Sequence, residues 1–162
     1  MASGKRWSVA ALVKEHERVA LDADVLIYLL EDVEPRASRS AALIDAADEG
    51  RVRASISSVA LAEVLVGPAR DGDGARFERT AAEIRDIKLV ILPVTAAIGE
   101  DAAWLRGQGS TQLIDAIHLA TARSAATAFI TNDRRIRSQS GLRVYYLDDL
   151  DLDGPPPSPG SA

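Results

Sequence analysis

The chain of 162 residues contains no cysteine. That excludes disulfides, thiolate metal sites and cysteine nucleophiles. Histidine is nearly as scarce, with His16 and His118 the only two, so a histidine-rich zinc site is not expected. Any metal has to be held mainly by oxygen, which favours Mg²⁺ or Mn²⁺. Aromatic residues make up 4%, too few for an obvious base-stacking platform, and Tyr28, Trp104 and Tyr145 read as core or interface packing residues. Lysine occurs only at positions 5, 14 and 88. No apolar run approaches the roughly 18 to 20 residues of a membrane span. In "MASGKRWSVAALVKEHERVA" a short apolar patch runs straight into charged residues, with no small-residue cleavage pattern. The expectation is a non-secreted, cytoplasmic protein.

What is present is an ordinary core. Hydrophobic residues make up 47%, enough in about one domain's length to bury a real interior. The net charge of -5 argues against a general nucleic-acid-coating protein. Its distribution is uneven, however. Arg123, Arg134, Arg135, Arg137 and Arg143 share their segment with one acid, Asp133. Such a strip can hold a polyanion or simply solvate a helix end, and both readings stand.

Strands and helices alternate along the chain. "VALDA", "RVRASIS", "KLVILPV", "AFITND" and "LRVYYLDD" read as strands. Helices are expected over "DVLIYLLED", "RASRSAALIDAADEG" with Gly50 past its end, and "VALAEVLVG", stopping at Gly67-Pro68. Further helices are expected over "ARFERTAAEIRDI", "AAIGEDAAWLRGQG" and "LIDAIHLATARSAA". This pattern predicts an α/β fold with a largely parallel sheet. Residues 1–17 read as a helical extension, 18–150 as the main domain, and 151–162, with "GPPPSPGSA", as a disordered tail.

Four acids interrupt apolar stretches: Asp22 where the first strand ends, Glu63 in the helix after the second, Asp115 inside "LIDAIHLA", and Asp133 after "AFITN". Parallel α/β sheets place their sites at the carboxyl ends of strands, where these four can meet. Each has a plain alternative: Asp22 or Asp24 as a helix cap, Glu63 as a surface residue, Asp115 as a first-turn acid, Asp133 as a turn former. Together they are harder to explain that way. Close carboxylates repel by several kcal/mol per pair, and a fold keeps them when a cation neutralises them or a pKa rises. Asp22 reads as a metal ligand and Asp24 as its capping or outer partner.

"ALDADVLIYLLE", "SISSVALAEVLVGP", "LIDAIHLATA" and "AFITNDRRI", in that order, resemble the four acidic motifs of PIN-domain ribonucleases, most closely the VapC-type toxins. The resemblance covers roughly residues 18 to 150. It implies a three-layer α/β/α sandwich that binds Mg²⁺ or Mn²⁺, cleaves RNA, dimerises and is blocked by a cognate antitoxin. It makes Asp22, Glu63, Asp115 and Asp133 the catalytic, metal-binding acids and gives Asp24, Thr131 and Asn132 supporting roles. Arg134, Arg135 and Arg137, following Asp133, are candidates to grip RNA phosphates. His118, one turn from Asp115, reads as a packed residue. Two departures stand out: Ile114 where many relatives carry proline, and Asp24 where relatives often have Asn, Ser or Thr. Two rival readings remain: a HAD-type phosphatase built on "LDADVLI", which lacks a downstream lysine, and a catalytically silent PIN-like module that binds a protein.

Overall fold

The computed structural model describes residues 5–109 and 111–152. Short runs of β-branched and small apolar residues form β1 (Arg18–Leu21), β2 (Arg53–Ser57), β3 (Leu89–Leu92), β4 (Ala128–Thr131) and β5 (Arg143–Tyr146). They pair in parallel in the order β3-β2-β1-β4-β5. Parallel neighbours need long crossovers, and helices supply most of them. Helix α1 (Val9–Glu15) precedes β1, while α2 (Ala23–Leu30) and α3 (Arg36–Asp48) join β1 to β2. Helices α4 (Ser58–Arg70) and α5 (Gly74–Asp86) lead to β3, and α6 (Ala96–Gln108) and α7 (Leu113–Ala125) lead to β4.

Successive side chains of a strand point to opposite faces, and this alternation sorts the helices into layers. Val19, Leu21, Ala54, Ile56, Ala128, Ile130 and Tyr145 enter one large core with Leu12, Leu26, Leu43, Val64 and Ile84 of α1 to α5. Ala20, Phe129 and Val144 face the other way, against Leu119 and Ala122 of α7. Ile98 and Ala102 of α6 pack on Ala116 and Ala120 of α7. The result is the three-layer α/β/α sandwich expected from the sequence.

Two elements differ from their expected limits. Helix α4 runs to Arg70, past Gly67-Pro68. A proline disfavours helix by losing a donor, by its ring striking the carbonyl four residues back, and by crowding the preceding residue's Cβ. Gly67 has no Cβ, Pro68 falls in the last turn, and its buried ring adds to the core. The last strand stops at Tyr146, and Leu147–Asp149 form a 3-10 turn. Helix α3 ends as expected: Gly50 takes φ 74° and donates to the Ala47 carbonyl at 3.0 Å.

The N-terminal extension is built into the sheet edge. Trp7 forms a parallel bridge with Leu150, and its indole Nε1 donates to the Tyr146 carbonyl at 2.9 Å. His16, buried, sits with Nδ1 2.8 Å from Thr127 Oγ1 and Nε2 2.9 Å from the Tyr145 hydroxyl. Of the expected C-terminal tail only Asp151 and Leu152 are described; the rest lies outside the described residues. Among the described residues no helix is long and apolar enough to cross a membrane.

Candidate active site

From β1 the chain moves outward through β2 to β3, then returns to the other side of β1 as β4 and β5. The carboxyl ends of β1 and β4 therefore border a topological switch point, the usual ligand crevice of an open parallel sheet. Asp22 stands there. It is the N-cap of α2, with Oδ1 accepting from the Ala23 N–H at 2.8 Å, while Oδ2 accepts from the Thr131 hydroxyl at 2.7 Å. The capping reading of the sequence holds for this buried carboxylate.

Thr131, fully buried at the end of β4, joins two of the acids. Its Oγ1 donates to Asp22 and accepts the Asp133 N–H at 3.0 Å. Asn132 secures the same turn. Its N–H donates to Asp24 Oδ2 at 2.8 Å and its Nδ2 to Asp148 Oδ2 at 3.1 Å, while its Oδ1 accepts from the Asp148 N–H. Of the positions assigned supporting roles from sequence, Thr131 is bonded to Asp22 and to the Asp133 backbone, while Asp24 and Asn132 are bonded to each other.

Asp22, Glu63 and His118 each offer a donor atom, all within 4.8 Å of one another. His118 is only 4% exposed, but its Nε2 is turned into the site and donates to Glu63 Oε2 at 2.6 Å, with Asp22 Oδ1 3.9 Å away. The expectation of a packed histidine holds for its burial and misses its partners. Its place one turn after Asp115 was the available signal; Glu63, which proves the point, lies on another helix. The other ring nitrogen, Nδ1, lies 2.9 Å from Ser57 Oγ, the N-cap of α4. Asp115 and Asp133 lie outside this group of three. Asp115 is half-buried in the first turn of α7, and Asp133 accepts from the Arg135 N–H and guanidinium at 2.7 to 3.1 Å.

The electrostatics are those of crowded carboxylates. Burial pushes the Asp22 carboxyl up, against the pull of His118, Thr131 and the Ala23 N–H. Burial and then the neighbouring Asp22 charge push Asp24 up to about 7. Asp115 is raised by burial and by Asp133, whereas the Arg135 guanidinium holds Asp133 below its ordinary value. Asp24 Oδ1 is buried with no hydrogen-bond partner among the described residues. An unsatisfied buried oxygen, raised carboxyls and three converging donors fit a divalent cation, because a cation at this point would neutralise the repulsion and occupy the lone pairs.

Most of the arginines proposed for RNA spend charge inside the fold. Arg134 forms a two-pronged bond to Asp149, 2.8 Å on each arm, and lies over the Tyr146 ring. Arg135 binds Asp133, and Arg137 reaches the Tyr146 hydroxyl at 3.5 Å. Trp104, expected to pack, is 67% exposed on α6, whereas Tyr145 is buried as expected. Helix α6 packs on α7 through small residues, Ala102 against Ala116 and Ala120, which leaves the indole outside the core, where of the two expected kinds of packing only an interface could cover it.

Asp148 ties the site to α3. Its carboxylate accepts from Arg36 on both oxygens at 2.9 Å, from Arg39 at 3.4 Å and from Asn132. The Arg36 bond is the main cause that brings its pKa down to about 2. A depressed carboxyl stabilises the fold above its unfolded pKa near 3.9, and that contribution is lost as pH falls through the folded value. Asp148→Asn is therefore expected to lower the melting temperature at pH 7 by about 3 °C, discounted for the pair's exposure. The gap to wild type should close towards pH 2 in thermal melts at both pH values.

A PIN domain family model matches residues 19–142, most of the chain. No curated protein sequence matches. Among solved structures, a toxin–antitoxin complex from Klebsiella pneumoniae superposes at TM-score 0.57 and 22% identity, over 76% of this chain and 94% of that one. VapBC2 from Rickettsia felis, bound to a promoter DNA fragment, gives 0.61 at 15% identity, over 80% and 98%. DNA-bound VapBC from Salmonella typhimurium gives 0.60 at 18%, over the same shares, 80% and 98%. These likenesses share the sandwich described above, and the matched span holds all four acids together with Thr131 and Asn132. The chain belongs to the PIN-domain family.

Proposed function

We propose that this protein is a divalent-metal-dependent endoribonuclease and the toxin of a toxin–antitoxin pair. The observation that carries the nuclease reading is the convergence of Asp22, Glu63 and His118 at the switch point of a PIN-domain sheet. The toxin reading is supported by the three structural neighbours, each a toxin–antitoxin or VapBC complex. Asp22, Glu63, Asp115 and Asp133 are the proposed metal-binding and catalytic acids, with Asp24, Thr131 and Asn132 in support. The homodimer and the antitoxin that blocks the site follow from the family resemblance.

When bound, Mg²⁺ or Mn²⁺ supplies charge neutralisation of a phosphodiester and activation of an attacking water. The chain's own residues set the geometry for that chemistry. Thr131 holds Asp22 by its side chain and Asp133 by its backbone, so two acids from different elements move as one. Ser57 and Glu63 fix the His118 ring from either side. Asp115, in the first turn of α7, lies within electrostatic reach of Asp133, Arg135, His118 and Glu63. Arg135 and Arg137 are the cations assigned here to the phosphates flanking the cut. The phosphatase reading leaves Glu63 and Asp115 without a task and is set aside.

The test is incubation of total bacterial RNA with Mn²⁺ or Mg²⁺, wild type beside Asp115→Asn, with new 5′ ends mapped. Metal-dependent cuts that vanish in the variant are the expected result. Cuts that persist in the variant, or no cuts in wild type, overturn the proposal; the latter outcome favours the silent binding module.

A further inference from the structure

We infer that His118 is itself a metal ligand through Nε2, making this a mixed nitrogen–oxygen centre that prefers Mn²⁺ to Mg²⁺. The inference rests on the reading of the site as a metal centre and goes beyond the four acids.

The donor atoms make the case. Nε2 lies 2.6 Å from Glu63 Oε2 and 3.9 Å from Asp22 Oδ1. Both separations are within the roughly 4.2 Å that two ligands about 2.1 Å from one ion can span. Asp115 and Asp133 do not belong to the same 4.8 Å group. The nitrogen completes, with Asp22 and Glu63, a set of three donors that all lie close to one another. It is also committed to the site, since the ring is 4% exposed and both of its nitrogens have polar partners.

The second ring nitrogen is arranged as in known histidine ligands, which almost always have their non-ligating nitrogen held by an outer partner. Here that partner is Ser57, whose Oγ already accepts the Ala60 N–H at 2.9 Å as cap of α4. A hydroxyl has two lone pairs and one rotatable proton. Ser57 can therefore donate to Nδ1 while Nε2–H binds Glu63, or accept from Nδ1–H while the Nε2 lone pair faces an ion. The outer partner supports the ligating tautomer without moving.

The nitrogen decides the ion. Mg²⁺ takes hard oxygen donors and keeps its waters, whereas imidazole suits transition ions, and affinity rises from Mn²⁺ along the first row. Zero cysteines leave no softer ligand to compete. Two carboxylates and one imidazole suit Mn²⁺ better than Mg²⁺.

The chain's histidine count makes the test clean. His16 precedes β1 and is bonded to Thr127 and Tyr145, so His118 is the one histidine at the site. The measurement is electron spin-echo envelope modulation of the Mn²⁺ complex at one equivalent, using tag-free protein with natural or ¹⁵N-labelled histidine. The expected result is an imidazole ¹⁴N modulation that disappears on labelling. In His118→Gln the modulation should be absent, and the ratio of Mn²⁺ to Mg²⁺ affinity should fall about tenfold or more. The labelled wild type needs no variant to fold. Bound Mn²⁺ whose spectrum is insensitive to labelling overturns the ligand while leaving the metal centre intact. Failure of wild type to bind Mn²⁺ at all overturns both.

Discussion

Asp22→Asn is expected to cut RNA cleavage by about a thousandfold or more, yet to raise the melting temperature of the protein in chelator. The two effects have one cause. The carboxylate is buried beside Asp24 and Glu63, and burial outweighs His118, Thr131 and the Ala23 N–H in setting its pKa, which is raised. The ionised form is therefore a net cost to the metal-free fold. Asparagine removes the charge and keeps an oxygen for the Ala23 cap, although the Thr131 hydroxyl loses its acceptor. The sign with pH is fixed. Below the unfolded pKa near 3.9 the carboxyl is neutral in both states and folding bears no charge penalty. As pH rises through the raised folded value, wild type loses stability that Asp22→Asn retains. The gain should be about 3 °C at pH 8, the shift that about 1 kcal/mol gives in a chain of this size, and should vanish near pH 3. Saturating Mn²⁺ should reverse the order, because it stabilises only the protein that binds it. A melting temperature lowered in chelator at pH 8 would sink the account.

The largest stability loss is expected from Trp7→Ala, outside the span matched by the family. Trp7 is 8% exposed, its ring stands edge-on to Tyr145 at 5.1 Å, and Nε1 donates to the Tyr146 carbonyl. Its backbone donates to Asp149 O at 3.2 Å and accepts from the Asp151 N–H at 2.7 Å. Truncating a buried tryptophan costs about 3 to 5 kcal/mol, and here it also leaves a backbone carbonyl unpaired. Differential scanning calorimetry should show a fall of about 10 °C, with Trp7→Phe recovering the packing part. A fall under about 2 °C would make the extension an appendage instead of a part of the fold.

The sheet was legible because its physics is local. Strands such as "AFIT" are short apolar runs between turns, and burial on both faces leaves no polar alternation to confuse them. Helix α4 outran its expected end because Pro68 falls in its last turn, where the cost of a proline is smallest, and Gly67 before it has no Cβ to meet the ring. At the site, Asp22 was legible as a carboxylate inside an apolar run, and so were Thr131 and Asn132 once the motif had been recognised. The role of His118 was not, since its partner Glu63 lies 55 residues away. For the same reason the arginine strip looked free: Arg134 is neutralised by Asp149, fifteen residues on, through a turn that only the folded chain forms. Residue type and spacing reveal which groups are out of place; they do not reveal which groups pair.

The strand order has a consequence for synthesis. β1 gains one neighbour when β2 is made, but its other side pairs only with β4, residues 128–131. A chain emerging from its N-terminus carries β1 with an open edge until then, and parallel pairings across such separations form slowly. Asp22, Thr131 and Asp133 meet only when that edge closes. The candidate site is thus unfinished until Asp133, past four-fifths of the 162 residues, has been made. Pairing of β4 with β1 and completion of the candidate site are one event.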